Sequence, residues 1–360
     1  MSKIAIINDT HFGLRNSSDV FMDYAEKFFA EEFFPICKKL NIKTVIHLGD
    51  YLDHRKFVNF KVLLRSRKMY LEPLEKSGMK MIIIPGNHDV YFRNTNELCG
   101  LREVLGYYKN SARIIMEPTV EDFDGLKIAM LPWITSDNYE TSLRFVDTCM
   151  APILAAHLEL QGFEMMKGMP VAAHGMDAAS FKRFEMVLSG HYHTKSTKDN
   201  IHYLGTQYEQ TWADADDAKY FHILDTSTRE LLPIKNPHTI FNRFVYNDSI
   251  YAQPIDAITK CNFSRAKNSF VKVVVAKKSD PVIFDKYISQ MQLAGPHELK
   301  IIENFDEFAG LAIQDDQISL EDTGKLLNTY IDAAETDLNK SMLKSLMQEL
   351  YVEAQSQDTV

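Results

Sequence analysis

The stretch that most constrains this chain is Ile82 to Asp89, an apolar run that stops at Pro85-Gly86-Asn87-His88-Asp89. Three consecutive isoleucines favour a buried strand, and Pro85 and Gly86 end it, so Asn87, His88 and Asp89 fall on the loop at its carboxyl end. In α/β sheets that is the edge where chemistry is placed. The pattern recurs. Lys3 to Ile7 runs into Asn8-Asp9-Thr10-His11, Thr44 to Leu48 into Gly49-Asp50-Tyr51-Leu52-Asp53, and Met186 to Ser189 into Gly190-His191-Tyr192-His193. A small-residue run, Pro152 to Ala156, ends at His157, and Ala172-Ala173-His174 offers a rival histidine. Repetition gives these motifs their weight, because a single Asp turn beside a surface histidine is ordinary.

Asp9 and His11 lie two residues apart, so in an extended segment they point to one side and can grip one ion. His191 and His193 form the same kind of pair after a glycine. Gly49 permits a tight turn that brings Asp50 toward the end of the first strand, where a carboxylate with two oxygens can bridge two cations. Asp9, His11, Asp50, Asn87, His157, His191 and His193 together supply three oxygen donors and four imidazoles, enough for two divalent ions sharing Asp50. Two ions about 3.5–4 Å apart can hold a phosphate oxygen and a hydroxide for in-line attack. Mixed nitrogen and oxygen donors without thiolate suit manganese, iron or zinc better than calcium. His88, beside Asn87, is free to protonate a leaving oxygen or to stabilise transition-state charge. Asp53 reads either as a residue that orients a ligand or as a helix cap, and His54 follows it on the same loop. His47 and Trp133 read as packed residues.

The net charge of −9 argues against a uniformly basic nucleic-acid coat but leaves room for a local basic face. Arg55, Lys56, Lys61, Arg65, Arg67 and Lys68 come without an intervening acid, and Arg93 extends the central loop. That run is either a solvated helix face or a track for a phosphate backbone. Cys37, Cys99, Cys149 and Cys261 are far apart with no CxxC spacing, which favours reduced thiols in a cytoplasmic setting. No apolar run approaches the roughly 18 residues of a membrane span. Apolar spacing predicts helices over 19–40 and 96–107, and strands over 127–133, 201–205 and 220–225.

Pro233 and Pro237 read as a linker that closes a first domain, 1–233. Residues 238–305 follow as a small α+β unit, with strand, helix and strand over 269–276, 281–293 and 297–303. The last segment, 311–360, carries a helical pattern over 320–352 whose apolar stripe cannot be buried alone.

Taken in order, Asp9-x-His11, Gly49-Asp50-x-x-Asp53, Gly86-Asn87-His88-Asp89, His157 and Gly190-His191-x-His193 resemble the motifs of the calcineurin-like metallophosphoesterases. Within that superfamily the chain is most similar to the SbcD-type DNA-repair nuclease subunits, especially their T-even phage recombination endonuclease form. Pro85 stands where protein phosphatases usually carry arginine, and the second motif lacks their Asp-Arg-Gly. The resemblance implies an α/β sandwich of two mixed sheets flanked by helices, with a small capping domain and C-terminal helices. It implies that Asp9, His11, Asp50 and His193 hold one ion and Asp50, Asn87, His157 and His191 the other, both manganese, with His88 catalytic. His157 is preferred to His174 because its 34-residue distance from His191 is similar to the family's spacing. Asp53, His54 and Asp89 would support the ligands or place DNA, with Arg55, Lys56, Lys61 and Arg93 on the DNA itself. The implied activity is exo- and endonucleolytic processing of single- and double-stranded DNA ends, as a homodimer, in the cytoplasm of a host cell if phage-encoded. The C-terminal helices would grip an SMC-like ATPase. A phosphatase or small-molecule phosphodiesterase of the same fold, and a non-catalytic assembly subunit, are the alternatives.

Overall fold

The structure, a computed structural model, describes residues 2–165, 172, 175–303, 331 and 340. His174 and nearly all of the helical pattern over 320–352 lie outside the described residues.

Runs rich in β-branched residues give the strands that carry the motifs. They are β1 (Lys3–Ile7), β2 (Thr44–His47), β3 (Lys80–Ile83), β4 (Ala112–Ile114), β5 (Thr119–Phe123), β6 (Leu126–Leu131), β7 (Ile153–His157), β8 (Met186–Gly190), β9 (Ser196–Lys198), β10 (Ile201–Tyr203), β11 (Tyr220–Asp225) and β12 (Leu231–Lys235). They form two mixed six-stranded sheets, in the spatial orders β12-β11-β1-β2-β3-β4 and β5-β6-β7-β8-β10-β9. In the first, β1 to β4 are parallel. In the second, β6, β7, β8 and β10 are parallel.

Alternation along each strand divides the core into layers. Ile4, Ile6 and Ile46 of the first sheet share a cluster with Ile128, Met130, Ile153 and Leu188 of the second. The intervening residues Ala5, Ile7, Val45 and Met81 belong instead to an aromatic layer with Phe28, Phe29, Phe33 and Tyr70. Those aromatics come from two helices, Asp19–Phe28 continuing to Lys39 and Phe60–Ser66 continuing to Lys76, each widened by a π-helical turn, Phe29–Phe33 and Arg67–Leu71. Phe29 meets Tyr70 across the two wide turns, ring centroids 4.9 Å apart. On the far face of the second sheet, Leu131, Leu154 and Val187 pack with Val146 and Phe181.

Two expectations are corrected. The helix expected over 96–107 begins only at Gly100, because Val90 bridges Cys99 and the Tyr91 amide donates to the Leu98 carbonyl at 2.9 Å, holding 90–99 as a loop. Pro233 marks no linker: it lies within β12, the edge strand, where a missing amide proton is tolerated.

The chain divides into two compact units, the first comprising Met1–Arg243, Asn262–Val271 and Met291–Glu298. The second comprises Phe244–Cys261, Lys272–Gln290 and the chain from Leu299. Strands Phe241–Asn247, Phe270–Lys277 and Glu298–Ile302 form a three-stranded sheet. In the second unit Tyr246 packs edge-on against Phe284 and Tyr287, and the Asp248 carboxylate accepts from the Ser279 and Asp280 amides at 2.8 and 2.9 Å. Among the described residues no helix is long and apolar enough to cross a membrane.

Candidate metal centre

Five parallel strands deliver their carboxyl ends to one place. Asp9 and His11 follow β1, Asp50 follows β2, Asn87 follows β3, His157 closes β7, and His191 and His193 follow β8. Asp9, His11, Asp50 and His191 have φ of 48°, 42°, 54° and 85°, left-handed values that L residues adopt at a cost of about 1–3 kcal/mol each. The surrounding backbone holds them there: the Asp9 amide donates to the Gly49 carbonyl at 2.9 Å and the His11 amide to the Asp50 carbonyl at 3.1 Å. The His88 and His191 amides donate to the carboxylates of Asp50 and Asp9 at 2.8 and 3.0 Å.

Such close approach requires glycine. A Cβ at Gly49 would lie 2.6 Å from the Gly86 nitrogen, and one at Gly190 would lie 2.8 Å from Asp9 Oδ2. These glycines let the loops of both sheets touch.

The expected ligands fall in two groups, Asp9 with His11 and His193, and Asp50 with His157 and His191, and His11 belongs also to a third with Asp53 and His88; within each group the atoms offered lie within 4.8 Å of one another. Asp50 links them, with Oδ2 3.4 Å from His157 Nε2 and 3.6 Å from His11 Nε2. Asn87 Oδ1 lies 3.0 Å from His157 Nε2 and 2.9 Å from His191 Nδ1. All seven expected ligands are therefore together. The donor set fits divalent cations: both nitrogens of His11, Nε2 of His191 and Nδ1 of His193 are buried without hydrogen-bond partners.

Residues 2–195 match the family model described as calcineurin-like phosphoesterase. The chain belongs to this family of phosphoesterases. It is 28% identical over 354 residues to exonuclease subunit 1 of Enterobacteria phage T4, covering 98% of this chain and 99% of that one. Among solved structures it is similar to an archaeal phosphodiesterase, at 19% identity over 65% of this chain and 99% of the other, with a TM-score of 0.34. It is also similar to the nuclease MPE of Pseudomonas putida, at 13% identity over 64% and 87% of the two chains, with a TM-score of 0.30. The family match and the two layered mixed sheets establish the metallophosphoesterase fold.

Charge within this phosphoesterase site is strongly coupled. Burial alone would lower the pKa of His11, but Asp53, Asp50 and Asp9 raise it to about 9. His157, also buried, is raised to about 9 chiefly by Asp50. Burial pushes His193 down to about 4 and His191 well below the usual histidine range, with the neighbouring charged rings adding to the effect. The His157 Nδ1 atom donates to the Leu48 carbonyl at 2.7 Å, which fixes its proton there and turns Nε2 toward the other ligands.

The residues around the ligands fall into distinct settings. Half-buried His88 donates from Nδ1 to the Asp53 carbonyl at 2.6 Å and meets the His11 ring edge-on. Asp53 Oδ1 lies 3.4 Å from His11 Nδ1, so this carboxylate faces a ligand and caps no helix; Asn59 caps the next one. Asp89 is buried and points inward: its carboxylate accepts from the Tyr51, Leu52 and Gly86 amides at 3.0, 3.2 and 2.9 Å, tying the β2 and β3 loops together. Burial and then Asp50 push its pKa up to about 7. His54 stacks on exposed Phe57 at 4.4 Å.

Of the expected DNA-contacting cations, Lys56 and Arg93 are exposed and Arg55 is half-buried. Lys61 is exposed but paired with Asp19 at 2.6 Å, and Arg65 reaches Asp23 and Glu26, so the acids missing from the basic run come from the helix beginning at Asp19. Trp133, read from sequence as core, is half-buried with its ring 5.3 Å from that of His191, a wall of the site. His47 is buried beside Thr10, with 3.1 Å between Nε2 and the hydroxyl. The backing loop 205–210 escaped the sequence reading. Gln210 Nε2 donates to the Asp9 carbonyl at 2.5 Å and Asn8 Nδ2 to the Gly205 carbonyl at 2.9 Å. The signal existed, since this loop follows parallel strand β10 and opens with glycine, as the loops that carry Asp50 and His191 do.

Proposed function

We propose that the chain is a dinuclear metal-dependent DNA nuclease subunit that processes DNA ends in recombination and double-strand-break repair with an SMC-like ATPase partner. The observation that carries this reading is the convergence of seven donors and His88 on one strand-end site, in a chain similar along nearly its whole length to a phage exonuclease subunit.

Asp9, His11, Asp50 and His193 would hold one cation and Asp50, Asn87, His157 and His191 the other. When bound, two divalent ions, manganese in our reading, supply Lewis-acid charge to the phosphoryl oxygens and lower the pKa of the attacking water. The chain's own residues do the rest. Because the Asp53 carbonyl can only accept, it keeps a proton on His88 Nδ1, and the imidazolium form of His88 would give its Nε2 proton to the departing sugar oxygen and be left neutral. Asp53 steadies His11, Asp89 keeps the two acidic loops in register, and Trp133 restricts water on the His157 and His191 side. Lys56 and Arg93, with Arg55 and His54, would receive the DNA backbone. Residues 238–305 would help select DNA and 311–360 would grip the ATPase, with the nuclease subunit itself a homodimer.

The test is manganese-dependent degradation of end-labelled linear DNA, alongside His88→Ala and with p-nitrophenyl phosphate as a control substrate. Nucleotide release that His88→Ala abolishes while two Mn2+ remain bound is the expected result. Monoester turnover with intact DNA would instead establish a phosphatase. Inactivity toward both substrates with metal bound would make the chain an assembly subunit.

A further inference from the structure

Lys219 is buried, and its ammonium is committed to three acceptors. It donates to Asp214 Oδ1, to Asp217 Oδ2 at 3.1 Å and to the carbonyl oxygen of His193 at 3.0 Å. A buried ion pair is weak ground for stability, since apolar residues of similar volume would fold as well without the desolvation cost. What an apolar residue would not supply is the third contact.

The His193 carbonyl also accepts from the Thr206 amide at 3.0 Å, and the His193 amide donates to the Met165 carbonyl at 3.1 Å. The backbone of this one histidine is therefore fixed on both sides, while its imidazole, with Nδ1 buried and without a partner, brings Nε2 to 4.0 Å from Asp9 Oδ1 in the group that includes His11. Asp214 is anchored in turn: its Oδ2 accepts from the Gln210 and Thr211 amides, both at 2.9 Å. A bare ammonium so near a cation site would repel the cation. Asp214 and Asp217 neutralise that charge and leave only a directed hydrogen bond.

We infer that Lys219, held by Asp214, is a positioning residue that fixes the His193 imidazole and so sets the affinity of the Asp9, His11 and His193 metal site. The inference rests on the dinuclear reading above. The Asp50, His157 and His191 site has no such support from Lys219.

The test compares Mn2+ binding by the full chain, followed by calorimetry and by electron paramagnetic resonance, in wild type, Lys219→Met, Lys219→Arg and Asp214→Asn, with His193→Ala as reference. Wild type is expected to bind two ions and to give the spectrum of a coupled pair. Lys219→Met should keep one ion, weaken the other by about 10- to 100-fold and give the spectrum of an isolated ion, as His193→Ala does. Lys219→Arg, which retains a donor, should restore part of the lost affinity. Circular dichroism establishes that each variant is folded; if Lys219→Met is not, Asp214→Asn carries the same expectation. Two ions bound at wild-type affinity by a folded Lys219→Met or Asp214→Asn chain would overturn the role of Lys219. A wild-type chain that binds no pair of ions would instead overturn the dinuclear reading on which it depends.

Discussion

The two ligand groups stand side by side and are built differently. In the Asp50 group, both nitrogens of His157 and Nδ1 of His191 have partners at 3.0 Å or less, and Asn87 Oδ1 serves two rings at once. In the Asp9 group, His11 Nδ1 has only the Asp53 carboxylate at 3.4 Å, outside hydrogen-bond geometry, and neither His11 Nε2 nor Nδ1 of His193 has a hydrogen-bond partner. The first is a nearly closed polar network; the second is held from behind, by Gln210 on the Asp9 carbonyl and Lys219 on the His193 carbonyl. A closed network resists rearrangement because each member orients another, whereas an open grip depends on the backbone that presents it. Two groups of donors that meet at Asp50 should therefore be disabled by different routes.

The largest expected effect removes the distinction altogether. Asp50→Ala takes away the carboxylate common to both groups, so both ions should be lost from calorimetric titrations and DNA degradation should fall about 1,000-fold or more. Retention of one tightly bound Mn2+ would mean that the groups do not share Asp50. His88→Ala should act on chemistry alone, lowering turnover by about 10²- to 10⁴-fold with two ions still bound. Metal loss in that variant would place His88 among the ligands instead.

Gly190→Ala touches both groups through packing. Its Cβ would lie 2.8 Å from Asp9 Oδ2 and 3.0 Å from His157 Nδ1, and overpacking of this kind costs about 1–3 kcal/mol, visible as a lower denaturation midpoint. An unchanged midpoint would show that the loops can separate. Glu209→Gln probes the backing loop without touching a ligand. Burial raises the Glu209 pKa from 4.5 to about 7, even though its carboxylate accepts from the Ile240 and Phe241 amides. A raised carboxyl pKa means the folded state binds the proton more tightly, so this contribution to stability is complete below about pH 4.5 and is lost as pH rises through about 7. Glu209→Gln should therefore stabilise the chain by about 3 kcal/mol at pH 8 and change little at pH 4, while the Mn2+ stoichiometry stays the same. Equal effects at both pH values would refute the assignment.

The smallest effect separates two exposed lysines. Lys56→Met should weaken DNA binding and reduce its salt dependence by roughly one counterion, whereas Lys61→Met, already paired with Asp19, should do less. A reversal of that order, measured in salt titrations of binding, would put DNA along the helix that carries Lys61.

Much of the centre was legible in the sequence because the signal is local. A short apolar run closed by turn residues and a polar donor specifies a strand end: Asp50, Asn87, His88, His191 and His193 come just after a glycine, and Asp9 and His11 just after Asn8. Pro233 was misread because a proline denies a strand one hydrogen bond but not an edge position, and only the sheet order reveals the edge. The basic run was incompletely read because Asp19, Asp23 and Glu26 lie some forty residues earlier and meet it only across two helices.

The sequence by itself determined which atoms are available as ligands and that parallel strands would carry them to one edge. Only the tertiary structure decided how they are grouped. Asp50 comes to lie between the two groups because Gly49, Gly86 and Gly190 let loops from two sheets approach within van der Waals contact, and Lys219 reaches the His193 carbonyl from 26 residues further along the chain. Periodicity and turn chemistry act between near neighbours, whereas the direction of a hydrogen bond between distant segments is fixed only when the whole core packs.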